Sequence, residues 1–109
     1  MTERDEAFDS ANAHLAVGEL PEAEQKYREA VAFDANFFDG WHALGMSLMK
    51  QGKIKEAIGC GLKATTLRPN DLLAWTALSQ MYVQDEQIAE AEFAKGNARI
   101  LSLGGKVQK

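Results

Sequence analysis

Cysteine is almost absent from this chain of 109 residues, and a single one, Cys60, cannot form an internal disulfide. Since no Cys-x-x-Cys pair or Cys/His ligand spacing occurs, we expect no bound metal and no other cofactor. Long apolar runs are also missing, because none reaches the roughly 18 residues that a membrane-spanning helix needs. The first nine residues are polar and acidic, unlike a secretory leader. These absences favour a reducing compartment, and we expect a cytoplasmic protein that does not associate with membranes.

An excess of basic residues is missing as well. The chain has 12 lysines and arginines against 16 aspartates and glutamates, a formal net charge of -4. Proteins that bind nucleic-acid backbones usually carry clustered cations, so we expect no nucleic-acid partner. The length and the apolar fraction of 46% are ordinary for one soluble domain.

Apolar residues recur at intervals of three and four along the chain. Nowhere do they alternate with a period of two for long enough to indicate a strand. The spacing predicts six helices, at residues 4–17, 21–33, 38–50, 54–67, 72–84 and 88–102. Gly18, Gly52 and the polar run 85–87 separate the two helices of each pair, while Asn36 and the run 69–71 separate one pair from the next. The predicted fold class is therefore all-α.

The sequence aligns with itself at a fixed shift. That shift places Gly18 on Gly52 and Trp41 on Trp75. The same shift also aligns two sets of alanines: Ala23, Ala57 and Ala91, and Ala30, Ala64 and Ala98. The period is about 34 residues, which is typical of stacked helical units that usually bind other macromolecules rather than catalyse reactions.

The second of the three copies resembles a tetratricopeptide repeat (TPR). The W-x2-LG pattern of that family is present as Trp41, Leu44 and Gly45. The turn glycine, the small residues and the closing proline of the family correspond to Gly52, Ala57, Ala64 and Pro69. The resemblance implies one TPR domain over residues 1–109, folded as a right-handed superhelical array of three helix-turn-helix repeats. The repeats would span about 4–37, 38–71 and 72–105, with a C-terminal tail at 104–109.

In this family, the first helix of each repeat lines a concave face that binds another protein. Helical offsets place eight candidate partner-binding residues on it: Phe8, Asn12, His42, Met46, Met49, Leu73, Thr76 and Gln80. Methionines adapt to irregular apolar ligands, so this face suits a peptide or an amphipathic helix of a partner. The resemblance thus implies a non-enzymatic protein-interaction scaffold or adaptor. Alternatively, the apolar residues near the helix ends belong to the core and leave only a modest patch.

Some TPR domains hold the C-terminal carboxylates of chaperones in a clamp of lysine, asparagine and arginine side chains. At the matching offsets this sequence has Phe8, Asn12, Ala43, Leu73 and Ala77, and only Asn12 agrees. A carboxylate bound there would lose its hydration without meeting a cation. We therefore expect acidic chaperone tails not to bind.

Catalytic residues are not predicted anywhere in the chain. A nucleophile needs a base within hydrogen-bonding distance, whereas Cys60 lies on a second helix and His42 on a first helix.

The last helix suggests how the array ends, because Lys95 and Arg99 occupy the offsets of Tyr27 and Val31 in the first repeat. With Glu92 they predict a solvated face that closes the array. The alternative function is a homo-oligomeric building block that associates through the C-terminal helix and tail. The sequence favours a monomer and leaves a homodimer open.

Overall fold

The computed structural model describes residues 2–107. This part of the chain contains six α-helices and no strand. The helices are α1 (Glu3–Ala16), α2 (Leu20–Phe33), α3 (Phe38–Lys50), α4 (Ile54–Leu67), α5 (Leu72–Gln84) and α6 (Ile88–Ser102). The prediction of six helices is confirmed, with α1 shifted by one residue and α2 starting one residue earlier. Of the predicted C-terminal tail, Gln108 and Lys109 lie outside the described residues, as does Met1 of the predicted domain.

The turns inside the three helix pairs share one backbone geometry. Gly18 and Gly52 both have φ +80°, in the left-handed region where glycine is free of steric cost. In the first turn the amide of Glu19 donates to the carbonyl of His14 at 2.9 Å, and the same bond recurs at the equivalent place in the other two turns. At the third turn the left-handed residue is Glu86, with φ +60°, a conformation that costs a non-glycine residue roughly 1–2 kcal/mol.

The two tryptophans close the loops that precede their helices. The indole N–H of Trp41 donates to the carbonyl of Ala35 at 2.8 Å, and that of Trp75 donates to the carbonyl of Pro69 at the same distance. A buried or half-buried indole normally needs such a partner. The tryptophans therefore join each hairpin to the one before it as well as filling space.

Small residues lie where the two helices of a hairpin cross. A Cβ atom at Gly45 would lie 3.2 Å from Cβ of Cys60 and 3.5 Å from the carbonyl oxygen of Ala57. At the equivalent crossing of the third hairpin, the hydroxyl of Ser79 donates to the carbonyl of Ala91 at 3.1 Å. Larger side chains would force the helices apart at these positions. The core between the hairpins is filled by larger buried residues, among them Tyr27, Leu44, Leu48, Leu78 and Met81.

The hairpins form a linear stack in which each helix packs chiefly against its neighbours in sequence. The first hairpin contacts the second through α2 and α3, and the second contacts the third through α4 and α5. The stack therefore has two open ends. At the C-terminal end Glu92, Lys95 and Arg99 are exposed, which confirms the predicted solvated face.

After α6 the chain turns back towards the second hairpin. Gly104 has φ +89°, and the amide of Gly105 donates to the carbonyl of Ile100 at 2.9 Å, which caps α6. The amide of Val107 then donates to Oδ1 of Asn70, in the loop between α4 and α5, at 2.9 Å. Within residues 2–107, none of the helices combines the length and the apolar character needed to cross a membrane.

Candidate partner-binding surface

The eight predicted partner-binding residues lie on the first helix of each hairpin, and we call them the inner wall. They form rows across α1, α3 and α5, because residues one repeat apart occupy equivalent places in equivalent hairpins. One row contains Phe8, His42 and Thr76, and the next contains Asn12, Met46 and Gln80. Leu73 lies one helical turn before the first row, and Met49 lies one turn after the second. The inner wall stays a prediction as a binding site, since what the structure describes is its surroundings.

Phe8 is half-buried rather than free. Its ring lies 5.0 Å from the ring of Phe37 in an edge-to-face arrangement and 5.8 Å from the ring of Tyr27. Aromatic pairs at these distances stabilise one another beyond their apolar burial. Phe8 therefore forms part of the floor of the inner wall, and a partner would contact only its open side.

Asn12 is exposed but is held by a hydrogen bond that crosses the first hairpin. The hydroxyl of Tyr27 donates to Oδ1 of Asn12 at 2.6 Å. Burial raises the pKa of Tyr27, so its hydroxyl stays a donor at neutral pH. The bond occupies the oxygen of Asn12 and directs its amide nitrogen, which can donate to a backbone carbonyl of a bound segment. Sequence reasoning missed this pair, which joins two helices.

His42 belongs to a stacked group on the α3 side. Its ring lies nearly parallel to that of Phe38, with an interplanar angle of 6° and a centroid distance of 5.8 Å. The guanidinium carbon of Arg68 lies 4.3 Å from the centroid of the same phenyl ring. One face of the His42 imidazole is thus directed towards Phe38, and a partner would contact the ring from its open side.

The remaining members of the inner wall differ in how accessible they are. Met46 and Met49 are half-buried and pack against the core. Leu73, in contrast, is 68% exposed. The hydroxyl of Thr76 donates to the carbonyl of Leu72 at 2.9 Å, within its own helix. The most accessible apolar side chain of the inner wall is therefore Leu73.

Acidic groups beside the inner wall are partly neutralised by Arg4. Its guanidinium donates to Asp5 and to Asp34, each at 2.9 Å, and lies 4.3 Å from the centroid of the Phe37 ring. The hydrogen bond from Arg4 lowers the pKa of Asp5, and that of Asp34 is lowered in the same way. No member of the inner wall is itself a lysine or an arginine. The surface thus offers apolar area and hydrogen-bonding groups rather than a cationic cluster.

The second hairpin has a counterpart among known families. A family model described as tetratricopeptide repeat matches residues 38–71. That model describes a single repeat, and the six helices of residues 2–107 fit three such repeats. The second hairpin is therefore a TPR. None of the curated proteins matches its sequence.

Solved structures share the fold of the whole TPR array. The TPR2B-domain:pHsp70 complex of yeast Sti1 superposes with a TM-score of 0.86 over 91% of this chain and 79% of that one, at 21% identity. The second TPR of Spaghetti (RPAP3), bound to the HSP90 peptide SRMEEVD, gives 0.87 over 92% and 93%, at 18% identity. A MamA structure gives 0.87 over 94% of this chain but only 60% of that one, at 24% identity. At such identities the likeness establishes the fold alone.

Cys60 is unsuited to nucleophilic catalysis in this TPR array. Its side chain is buried, and burial raises the pKa of the thiol to about 11. The reactive thiolate is therefore scarce at neutral pH. Among residues 2–107 there is also no group of three or more His, Cys, Asp or Glu side chains that could hold a metal ion.

Proposed function

We propose that this TPR protein is a non-enzymatic scaffold whose inner wall binds an apolar segment of another protein. The segment is an extended peptide or one face of an amphipathic helix. The observation that carries the proposal is the exposed Leu73, which lies on the same inner wall as the half-buried Phe8, Met46 and Met49. Burying such side chains contributes about 25 cal/mol per Å² of apolar area removed from water.

In this proposal, the polar members of the inner wall set the position of the bound segment along that wall. The free amide nitrogen of Asn12 donates to a carbonyl of the segment, while His42 and Gln80 offer further donors and acceptors in neighbouring rows. Few, well-placed polar groups on an apolar surface orient a ligand without dominating its affinity. Non-covalent docking is the whole mechanism, and no bond in the partner is broken.

Acidic chaperone tails are not the ligand in this proposal. The Sti1 and RPAP3 structures contain pHsp70 and an HSP90 peptide, respectively. In this chain, however, the clamp offsets are occupied by side chains without positive charge. A terminal carboxylate would be desolvated there without a charged hydrogen-bond partner, which costs several kcal/mol in order of magnitude.

Selection of peptides from a displayed random library tests the inner wall directly. We expect apolar segments that bind the wild-type protein and lose most of their affinity for Leu73→Glu. The matched control is Phe93→Glu, because Phe93 lies on α6 and is also 68% exposed. Circular dichroism establishes that both variants fold. Peptides that bind Leu73→Glu as tightly as the wild type would overturn the inner-wall assignment.

The peptide SRMEEVD tests the charge argument. Titrated into this protein, it should show no saturation below about 1 mM, which corresponds to a binding free energy weaker than about -4 kcal/mol. The RPAP3 domain serves as the positive control, since its structure contains the same peptide. Micromolar binding here would show that the clamp argument is wrong, although binding of other segments to the inner wall could still hold.

A further inference from the structure

The two open ends of the stack carry opposite charges. At the N-terminal end, which we call the head face, Glu3, Glu6 and Asp9 are exposed on α1. At the C-terminal end, the tail face, Lys95 and Arg99 are exposed on α6. Complementary charge of this kind steers two surfaces together and sets their register. The head face of one copy is therefore a candidate partner for the tail face of another.

The internal junctions show which residues would meet. At the first junction, a Cβ atom on Gly40 would lie 2.9 Å from Cγ1 of Val31, so these two positions are in direct contact. Arg99 occupies in the third hairpin the place that Val31 has in the first. Glu6 likewise occupies in the first hairpin the place that Gly40 has in the second. If a second copy continued the stack, Arg99 would face Glu6 of that copy.

Lys95 fits the same arrangement. It occupies the place that Gly61 has at the second junction, where an added Cβ would lie 3.0 Å from Leu78 and 3.1 Å from Met81. The equivalents of those two residues on the head face are the small Ser10 and Ala13. Small residues leave room for the carbon chain of the lysine, whose ammonium group can then remain in water.

One contact opposes this register. Nζ of Lys53 and Oε1 of Glu24 lie 3.0 Å apart at the first junction, and the equivalent positions at the new contact are Glu19 and Glu92. The head-face glutamate is paired with His14 at 2.8 Å, and the side chains at this rim are open to solvent. Solvent screens such a pair, so it weakens the contact without excluding it.

The C-terminal tail does not continue into the place of a next helix. The hydrogen bond from the Val107 amide to Asn70 turns it towards its own second hairpin. Between Lys95 on α6 and Thr76 and Gln80 on α5, a groove of about 480 Å³ is therefore open on the tail face. This is the side on which an inner hairpin would receive the next one.

We infer that copies of this chain stack head to tail, with the tail face of one copy on the head face of the next. The stack repeats the geometry of the internal junctions and so extends the inner wall. Such a contact joins two different surfaces, so it leaves a free head and a free tail and does not close into a symmetric dimer. The charges are exposed, so the association is weak and decreases with salt.

Sedimentation velocity over a concentration series tests this inference. The wild type should form species beyond the dimer at about 0.02 M salt and should dissociate at about 0.5 M salt. Arg99→Glu and Glu6→Arg should each weaken association by about tenfold or more at low salt. Lys63→Glu on α4 and Glu90→Arg in the first turn of α6 make the same charge changes away from both ends and should leave it unchanged.

Mixing the two variants gives the sharper result. Each retains one native end, so an equimolar mixture of Arg99→Glu and Glu6→Arg should associate again, to within a few-fold of the wild type. A symmetric dimer through the C-terminal helix would instead respond to Arg99→Glu and not to Glu6→Arg, which would overturn the inference. A wild type that stays monomeric at all concentrations and salt levels would overturn it as well.

Discussion

The two junctions between hairpins are equivalent in the repeat but are filled from opposite sides. At the first junction the bulk comes from the second helix of the preceding hairpin, where Tyr27 is fully buried, and the position equivalent to Met81 is the small Ser47. At the second junction the equivalent of Tyr27 is Gly61, and Met81 from the following helix occupies the space. The comparison shows that either of the two helices that meet at a junction can supply the large side chain that fills it.

The junctions also differ in their polar links. Across the first, Glu24 accepts hydrogen bonds from Gln51 and Lys53, each at 3.0 Å, and also pairs with Arg28 at 2.8 Å. Across the second, Lys55 pairs with Asp85 at 2.7 Å, and the lysine is 80% exposed. Two donors from the second hairpin thus meet one carboxylate at the first junction, whereas one ion pair crosses the second, so we expect the first junction to depend more on charge.

Tyr27→Ala should give the largest effect. It removes a buried ring and should lower the free energy of unfolding by about 3–5 kcal/mol, measured by urea denaturation. Tyr27→Phe is the matched control, because it keeps the ring and loses only the bond to the exposed Asn12, at a cost of about 1 kcal/mol or less. Equal losses in the two variants would show that the hydrogen bond, not the volume, stabilises the first junction.

Met81→Ala should cost about 2–4 kcal/mol at the second junction. Gly61→Ala alone should change stability by about 1 kcal/mol or less, because the gain in helix propensity offsets the shift that the new Cβ forces on the side chains of Leu78, at 3.0 Å, and Met81, at 3.1 Å. In the double variant the added methyl fills part of the space that the methionine leaves. The double variant should therefore be more stable than the sum of the single changes by about 0.5–1 kcal/mol or more, and strict additivity would contradict the proposed exchange of volume.

Glu24→Gln should weaken the first junction in a pH-dependent way. Burial acts to raise the pKa of Glu24, but the hydrogen bonds from Lys53, Arg28 and Gln51 together outweigh it, so the pKa lies below its usual value. The stabilisation is therefore complete above about pH 4.3 and is lost as the pH falls through the lowered pKa.

The expected loss for Glu24→Gln is about 1–2 kcal/mol at pH 7, with a smaller difference from the wild type in acid. Urea denaturation at several pH values measures it. Glu22→Gln on the same helix is the control and should change little at any pH. A loss for Glu24→Gln that stays constant down to pH 3 would exclude the ionised network as its cause.

Ser47→Ala should give the smallest effect. Its buried hydroxyl has no hydrogen-bond partner within the described residues, so its removal should leave stability unchanged or raise it by up to about 1 kcal/mol. Thermal unfolding followed by circular dichroism measures the change. A clear loss of stability would mean that the hydroxyl fills space at the first junction that a methyl group cannot fill.

The helices could be predicted well because their signals are local. Apolar spacing and the turn glycines set the bounds of α3 and α4 to the residue, and even the third turn, where Glu86 replaces glycine, keeps the left-handed backbone. The contacts of the candidate site could not be predicted in this way. The bond between Tyr27 and Asn12 links residues 15 apart on different helices, and that between Arg4 and Asp34 links residues 30 apart.

The sequence by itself determined six helices, three repeated hairpins and the face of each first helix, because helical periodicity and turn geometry depend on residues only a few positions apart. Only the tertiary structure decided how open each member of that face is, with Phe8 held between aromatic rings and Leu73 left exposed. It also decided that Met81 fills the space beside Gly61. Such outcomes depend on the distance and angle at which neighbouring helices pack, which are set by many side chains together.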